Sequence, residues 1–234
     1  MLFFNPILII AATLPALYLM YRIYHLDHIE KEPPHLLFAL FRLGLLATVI
    51  AMVLEWVGTR ILQAYVEEGT MLYNAIMYFI IVAISEEGAK YFLLKRRTWN
   101  DPNFNYTFDG VVYAVFVSLG FALAENIMYV MLYGFRVALL RAVTAIPGHA
   151  CFGIFMGTWY GMAKRYEQEG NRLASRACSV LAFLIPALLH GTYNFIASIN
   201  NDSYGWIFVA FILIMFFVAI RLVKHMSRTD QPIY

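Results

Sequence analysis

The chain has 234 residues, 62% of them apolar and only 14% charged, with a mean hydropathy of +0.66. Soluble domains carry about 25% charge and 45–50% apolar residues, so the composition argues against a water-soluble globule and more firmly against disorder. A net charge of +2 is too small to suggest nucleic-acid binding, and two cysteines, Cys151 and Cys178, do not make a disulfide framework.

Seven apolar stretches, at about 2–22, 36–57, 71–94, 109–133, 142–163, 178–198 and 205–223, read as membrane-spanning helices. Long continuous runs favour an all-α bundle over a barrel, whose strands would alternate in segments of about ten residues. The spans leave no room for a separate soluble domain, so residues 1–234 read as one integral membrane domain. The first stretch has no basic residue before it and is full length, and so reads as a span and not as a cleaved leader.

Lys and Arg set the orientation. Arg22, Lys31, Lys95, Arg96, Arg97, Lys164, Arg165, Arg172, Arg176, Arg221, Lys224 and Arg228 fall at one set of span ends, and only Arg60, Arg136 and Arg141 at the other. This bias predicts a multi-pass cell-membrane protein with its N-terminus outside and its C-terminus in the cytoplasm. Arg42 and Glu55 lie near the two ends of the second span, where long side chains reach water. His25, His28 and His35, beside Asp27, Glu30 and Glu32, could bind a metal weakly, but read instead as part of a solvated cytoplasmic loop.

Four charged residues remain deep in spans: Glu86, Glu87 and Lys90 in the third and Glu125 in the fourth. His149 and His190 join them from the fifth and sixth. A charge at the bilayer centre costs about 2.5–3.5 kcal/mol on insertion scales, so these groups are expected to face one another inside the bundle. Glu86 and Glu87 stand four and three residues before Lys90, and both spacings allow an ion pair. One carboxylate can pair while the other acts as a general base; a purely structural ion pair is the competing reading. Glu125 and Asn126 can hold a histidine, bind a substrate amide or join helices by hydrogen bonds. His149, Gly153, Gly157 and Gly161 form one stripe at four-residue spacing, which permits close helix contact. His190 and Asn194 share a face and can both donate to a developing oxyanion, or form a structural contact. Cys151 reads as a buried thiol. At 1.5 Å per residue, His149, Glu125 and His190 lie roughly 10–13 Å below the outer edge and Glu86 roughly 16–22 Å.

At these residues the sequence resembles the PrsW family of intramembrane proteases, part of a larger group with the CAAX-type prenyl-protein endopeptidases and bacteriocin-processing enzymes. Glu-Glu-x-x-Lys falls on Glu86, Glu87 and Lys90, and Phe-x-x-x-Glu-Asn on Phe121, Glu125 and Asn126. The isolated histidine falls on His149 and His-x-x-x-Asn on His190 and Asn194, while residues 27–33 resemble the family's first cytoplasmic loop. The resemblance implies a glutamate-type peptidase in which Glu86 activates water and Glu87 pairs with Lys90 or helps hold the site. His149, His190 and Asn194 would position the water and stabilise the oxyanion, and Glu125 would support a histidine or bind substrate. It implies no cofactor, and a single-span membrane protein as substrate, in the family's namesake role an anti-sigma factor. Two other readings compete. One is a zinc-dependent hydrolase of a lipid amide, which lacks a His-Glu-x-x-His motif. The other is a transporter or scaffold with a buried proton relay.

Overall fold

The computed structural model describes residues 6–199 and 201–233. It is all-helical: α1 (Pro6–Leu26), α2 (Pro34–Tyr65), α3 (Met71–Ala75), a π-helical segment (Ile76–Val82), α4 (Ala83–Thr98), α5 (Asp109–Tyr133), α6 (Phe135–Val143), α7 (Ala145–Gln168), α8 (Arg172–Ser198) and α9 (Asp202–Arg228). Among the described residues the only β-type pairing is an isolated bridge between Tyr106 and Pro232. Five helical stretches are long and apolar enough to cross a membrane: α2, α5, Leu139–Gln168, α8 and α9. Of the other two expected spans, the first coincides with α1 apart from positions 2–5, which lie outside the described residues. The third is divided among α3, the π-helical segment and α4.

The helix ends follow local chemistry. Pro34 opens α2, where its missing N–H is no loss. Thr70 caps α3 by accepting from the Tyr73 N–H at 3.2 Å. Lys95, Arg96 and Arg97 close α4, where cations complement the helix dipole. Pro147 falls in the first turn of α7, where it costs little. Pro186, inside α8 one turn before His190, cannot donate to the Ala182 carbonyl.

Helix α5 is the axis of the bundle: 72% of its apolar window is buried, against 22% for α9. Small residues let α2 and α7 approach it closely. A Cβ at Gly44 would lie 2.2 Å from the Val117 carbonyl oxygen, and one at Gly157 would lie 2.4 Å from both the Gly110 oxygen and Val111 Cα. The expected glycine stripe therefore packs directly on α5. Outward-facing apolar side chains such as Trp56, Leu213 and Phe217 are exposed, while Glu86, Glu87 and Lys90 are buried. That inversion suits a lipid solvent.

The first loop differs from expectation. His28 and Glu30 are exposed, but Asp27 and Glu32 are buried. The Tyr113 hydroxyl on α5 donates to Glu32 at 2.7 Å, so the loop folds back onto the bundle. The tail after α9 closes the same end, with Phe108 N–H donating to Asp230 at 2.9 Å and Ile233 N–H to the Asn105 carbonyl at 2.7 Å.

The close α5–α7 contact is testable. Gly157→Ala is expected to destabilise the protein by about 1–3 kcal/mol through overpacking, read as a lower thermal melting midpoint in detergent. Gly205→Ala, with nothing within 4 Å of the new Cβ, should leave the midpoint unchanged or slightly raised.

Candidate active site

The two glutamates and Lys90 sit one turn beyond the π-helical segment, whose wider turn sets the angle at which α4 enters the bundle. Helix α8 presses on that segment, since a Cβ at Gly191 would lie 2.5 Å from a Phe79 ring carbon. Gly191 thus lets the neighbouring His190 reach α4.

Lys90 Nζ is the hub. It donates to Glu87 Oε1 at 2.7 Å, lies 3.4 Å from Glu86 Oε2 and 3.1 Å from His149 Nδ1. It also stands 3.9 Å from the centre of the Phe121 ring, a cation–π contact. His190 Nδ1 is 2.9 Å from Glu87 Oε1 and 3.9 Å from Glu86 Oε2. His149 Nε2 is 3.0 Å from Glu125 Oε2, and that carboxylate also meets Arg141 Nη2 at 2.7 Å. Arg141 Nε donates to the Asn126 side-chain oxygen at 3.3 Å. Phe152 stacks on His190 at 4.8 Å, and the two histidine rings meet edge-on at 5.2 Å.

This network fixes ring roles. With Lys90 protonated, His149 accepts at Nδ1 and donates its Nε2–H to Glu125. His190 donates Nδ1–H to Glu87, which leaves its Nε2 available. Glu87 is fully buried and held by two short contacts, although its Oε2 has no partner among the described residues. Glu86 is held more loosely and retains 5% exposure.

Glu86, Glu87, Lys90, Glu125, Asn126, His149 and His190 thus come together as one connected network. Asn194 does not join it: no hydrogen bond links it to His190 among the described residues. It lines a neighbouring cavity of about 830 Å³ between α5, α6, α8 and α9, together with Tyr129, Arg141, Thr144 and Tyr193. Two members lie outside the set that the sequence singles out. Arg141, one of the basic residues at the outer span ends, pairs with Glu125 from the short helix α6. An arginine amid Leu139, Leu140, Ala142 and Val143 was the available signal. Glu55 was placed near a span end, but α2 continues to Tyr65 and leaves it half-buried, within electrostatic reach of Lys90, Glu86 and Glu125.

Glu86, Glu87, His149 and His190 each offer a ligand atom within 4.8 Å of the others, a donor set of the zinc-binding kind. Lys90 Nζ contacts three of these four residues, Glu86, Glu87 and His149, and the two nitrogens of His149 lie within hydrogen-bond distance of Lys90 and Glu125.

Residues 32–221 match the family model described as PrsW family intramembrane metalloprotease. The chain is 31% identical over 221 residues to a protein named Protease PrsW from Shouchella clausii (strain KSM-K16), covering 94% of this chain and 97% of that relative. It is 34% identical over 220 residues to the Protease PrsW of Oceanobacillus iheyensis, covering 93% and 95%. With the Protease PrsW of Bacillus subtilis (strain 168) it shares 29% identity over 226 residues, covering 96% and 97%. No solved structure gives a significant match.

Removing the hub should strand buried charge. Lys90→Met is expected to cost about 3–5 kcal/mol, and Lys90→Met/Glu87→Gln should recover much of that loss. Denaturant unfolding of the single and double variants measures both.

Proposed function

Because the chain belongs to the PrsW family of intramembrane proteases, we propose that Glu86 activates water to cleave a single-span membrane protein without a metal ion. The observation that carries this is the division of labour between the two glutamates. Glu87 is bound at 2.7 and 2.9 Å by Lys90 and His190, whereas Glu86 meets Lys90 only at 3.4 Å. A carboxylate less committed to its neighbours can take a proton from water.

In this reading Glu87 and Lys90 fix the geometry. Glu125, held by Arg141, orients His149 through its Nε2–H. His190, aligned by Glu87, turns Nε2 toward the scissile carbonyl or the leaving amine. Asn194, in the cavity wall with Arg141, binds the substrate backbone as it arrives from the lipid. Four carboxylates (Glu55, Glu86, Glu87, Glu125) surround two fixed cations (Lys90, Arg141). Support for the metal-free reading is that Lys90 stands among the donors an ion would need. The family's namesake role makes an anti-sigma factor the expected substrate.

We further propose seven crossings with the N-terminus outside. The basic ends of α4, α7, α8 and α9 support it, and it puts the site between the outer half and the midplane.

Glu86→Gln should abolish cleavage of a reporter substrate while the variant remains folded in membranes, and zinc chelators should leave wild-type activity intact. Full activity in Glu86→Gln, or loss on chelation with recovery on adding zinc, would sink the assignment. For topology, Arg136→Cys should react with an impermeant thiol reagent from outside and Arg172→Cys should not. The native Cys151 and Cys178 are buried and add little background.

A further inference from the structure

A second acidic cluster lies at the opposite end of α5 from Glu125. Asp27 and Glu32 of the first loop and Asp109 at the start of α5 each offer a carboxylate oxygen within 4.8 Å of the others. They are 1%, 3% and 1% exposed. Among the described residues no basic side chain forms an ion pair with any of the three. Lys31 acts on Asp27 electrostatically, while its ammonium donates to the backbone carbonyls of Tyr24 and Asp27.

Part of the cluster is satisfied. Asp109 Oδ2 accepts from the N–H groups of Asn105 and Tyr106, Glu32 Oε2 accepts from Tyr113, and the Glu32 and Asp109 carboxyl groups hydrogen-bond to each other. Asp27 accepts a backbone hydrogen bond at Glu30, but its Oδ2 is buried with no hydrogen-bond partner. A buried oxygen in that state is destabilising, more so when it carries charge. From this we infer that Asp27, Glu32 and Asp109 form a binding site for a hard divalent cation, Mg2+ or Ca2+, at the end of the bundle remote from the protease cluster. All-oxygen donors with two or three carboxylates are what these cations select. Glu30 and Asp230 add further negative charge beside Asp27. The ion would tie the α1–α2 loop to α5, next to the strand-like pairing of the C-terminal tail with residues 105–108.

The test uses the full chain, stripped with EDTA, in nanodiscs of phosphatidylcholine so that the lipid carries no net charge. Mn2+ titration followed by electron paramagnetic resonance is expected to show one saturable ion per chain, with Mg2+ and Ca2+ competing in separate arms to identify the preferred ion. Asp27→Asn should weaken binding by about tenfold or more, and Glu86→Gln should leave it unchanged. Tyr113→Phe keeps all three carboxylates and gives a second measurement: tyrosine-sensitised Tb3+ emission should fall by more than half relative to wild type. Absence of saturable Mn2+ binding in the wild type would overturn the site. So would undiminished binding in a folded Asp27→Asn variant, loss of binding in Glu86→Gln, or Tb3+ emission unchanged in Tyr113→Phe.

Discussion

One buried ammonium group governs this molecule. Moving an ion of that size into a low-dielectric interior costs on the order of 20 kcal/mol in the ideal limit, and Lys90 is fully buried. It is tolerable only because Glu87, Glu86, His149 and the face of Phe121 converge on the same atom. Those partners come from three helices, α4 itself, α5 and α7, so the charge requirement dictates that these three meet at one depth. The same logic extends outward through His149, Glu125 and Arg141 to the short helix α6.

Such convergence needs close backbones. Gly157 against Gly110, and Gly44 against the Val117–Gly120 stretch, remove the side chains that would hold α2 and α7 away from α5. Between helices in lipid there is little hydrophobic driving force, so this steric fit and the polar network must together hold the bundle. Packing and chemistry are consequently hard to separate here: Gly191 serves both by admitting Phe79 and by bringing His190 to Glu87.

The membrane class, the helical character and most of the polar cluster were legible because charges deep in apolar runs have few places to go. Glu86, Glu87, Lys90, Glu125, His149 and His190 could be grouped on cost alone. Arg141 and Glu55 are not legible in this way, because position along a span does not fix burial when a helix such as α2 continues to Tyr65 or a short helix such as α6 pairs inward through Arg141. Asn194 shows the converse: spacing put it on the face of His190, but the neighbouring cavity decides what it touches. Asp27 and Glu32 looked solvated because polarity in a loop suggests water. Their burial depends on Tyr113, eighty-one residues beyond Glu32 in the chain, a tertiary contact with no local signature.

The π-helical turns before Glu86 bring a different kind of constraint, one of counting. A π-helical turn accommodates an extra residue relative to α geometry, and each residue of an α-helix advances the side-chain direction by about 100°. The stretch Ile76–Val82 therefore works as a phase adjuster. Converting it to α geometry by losing one residue would swing Glu86, Glu87 and Lys90 around α4 together, leaving their mutual spacing intact while turning all three away from His149 and His190. Chain length in that segment is thus as much a part of the reactive centre as the residues that line it.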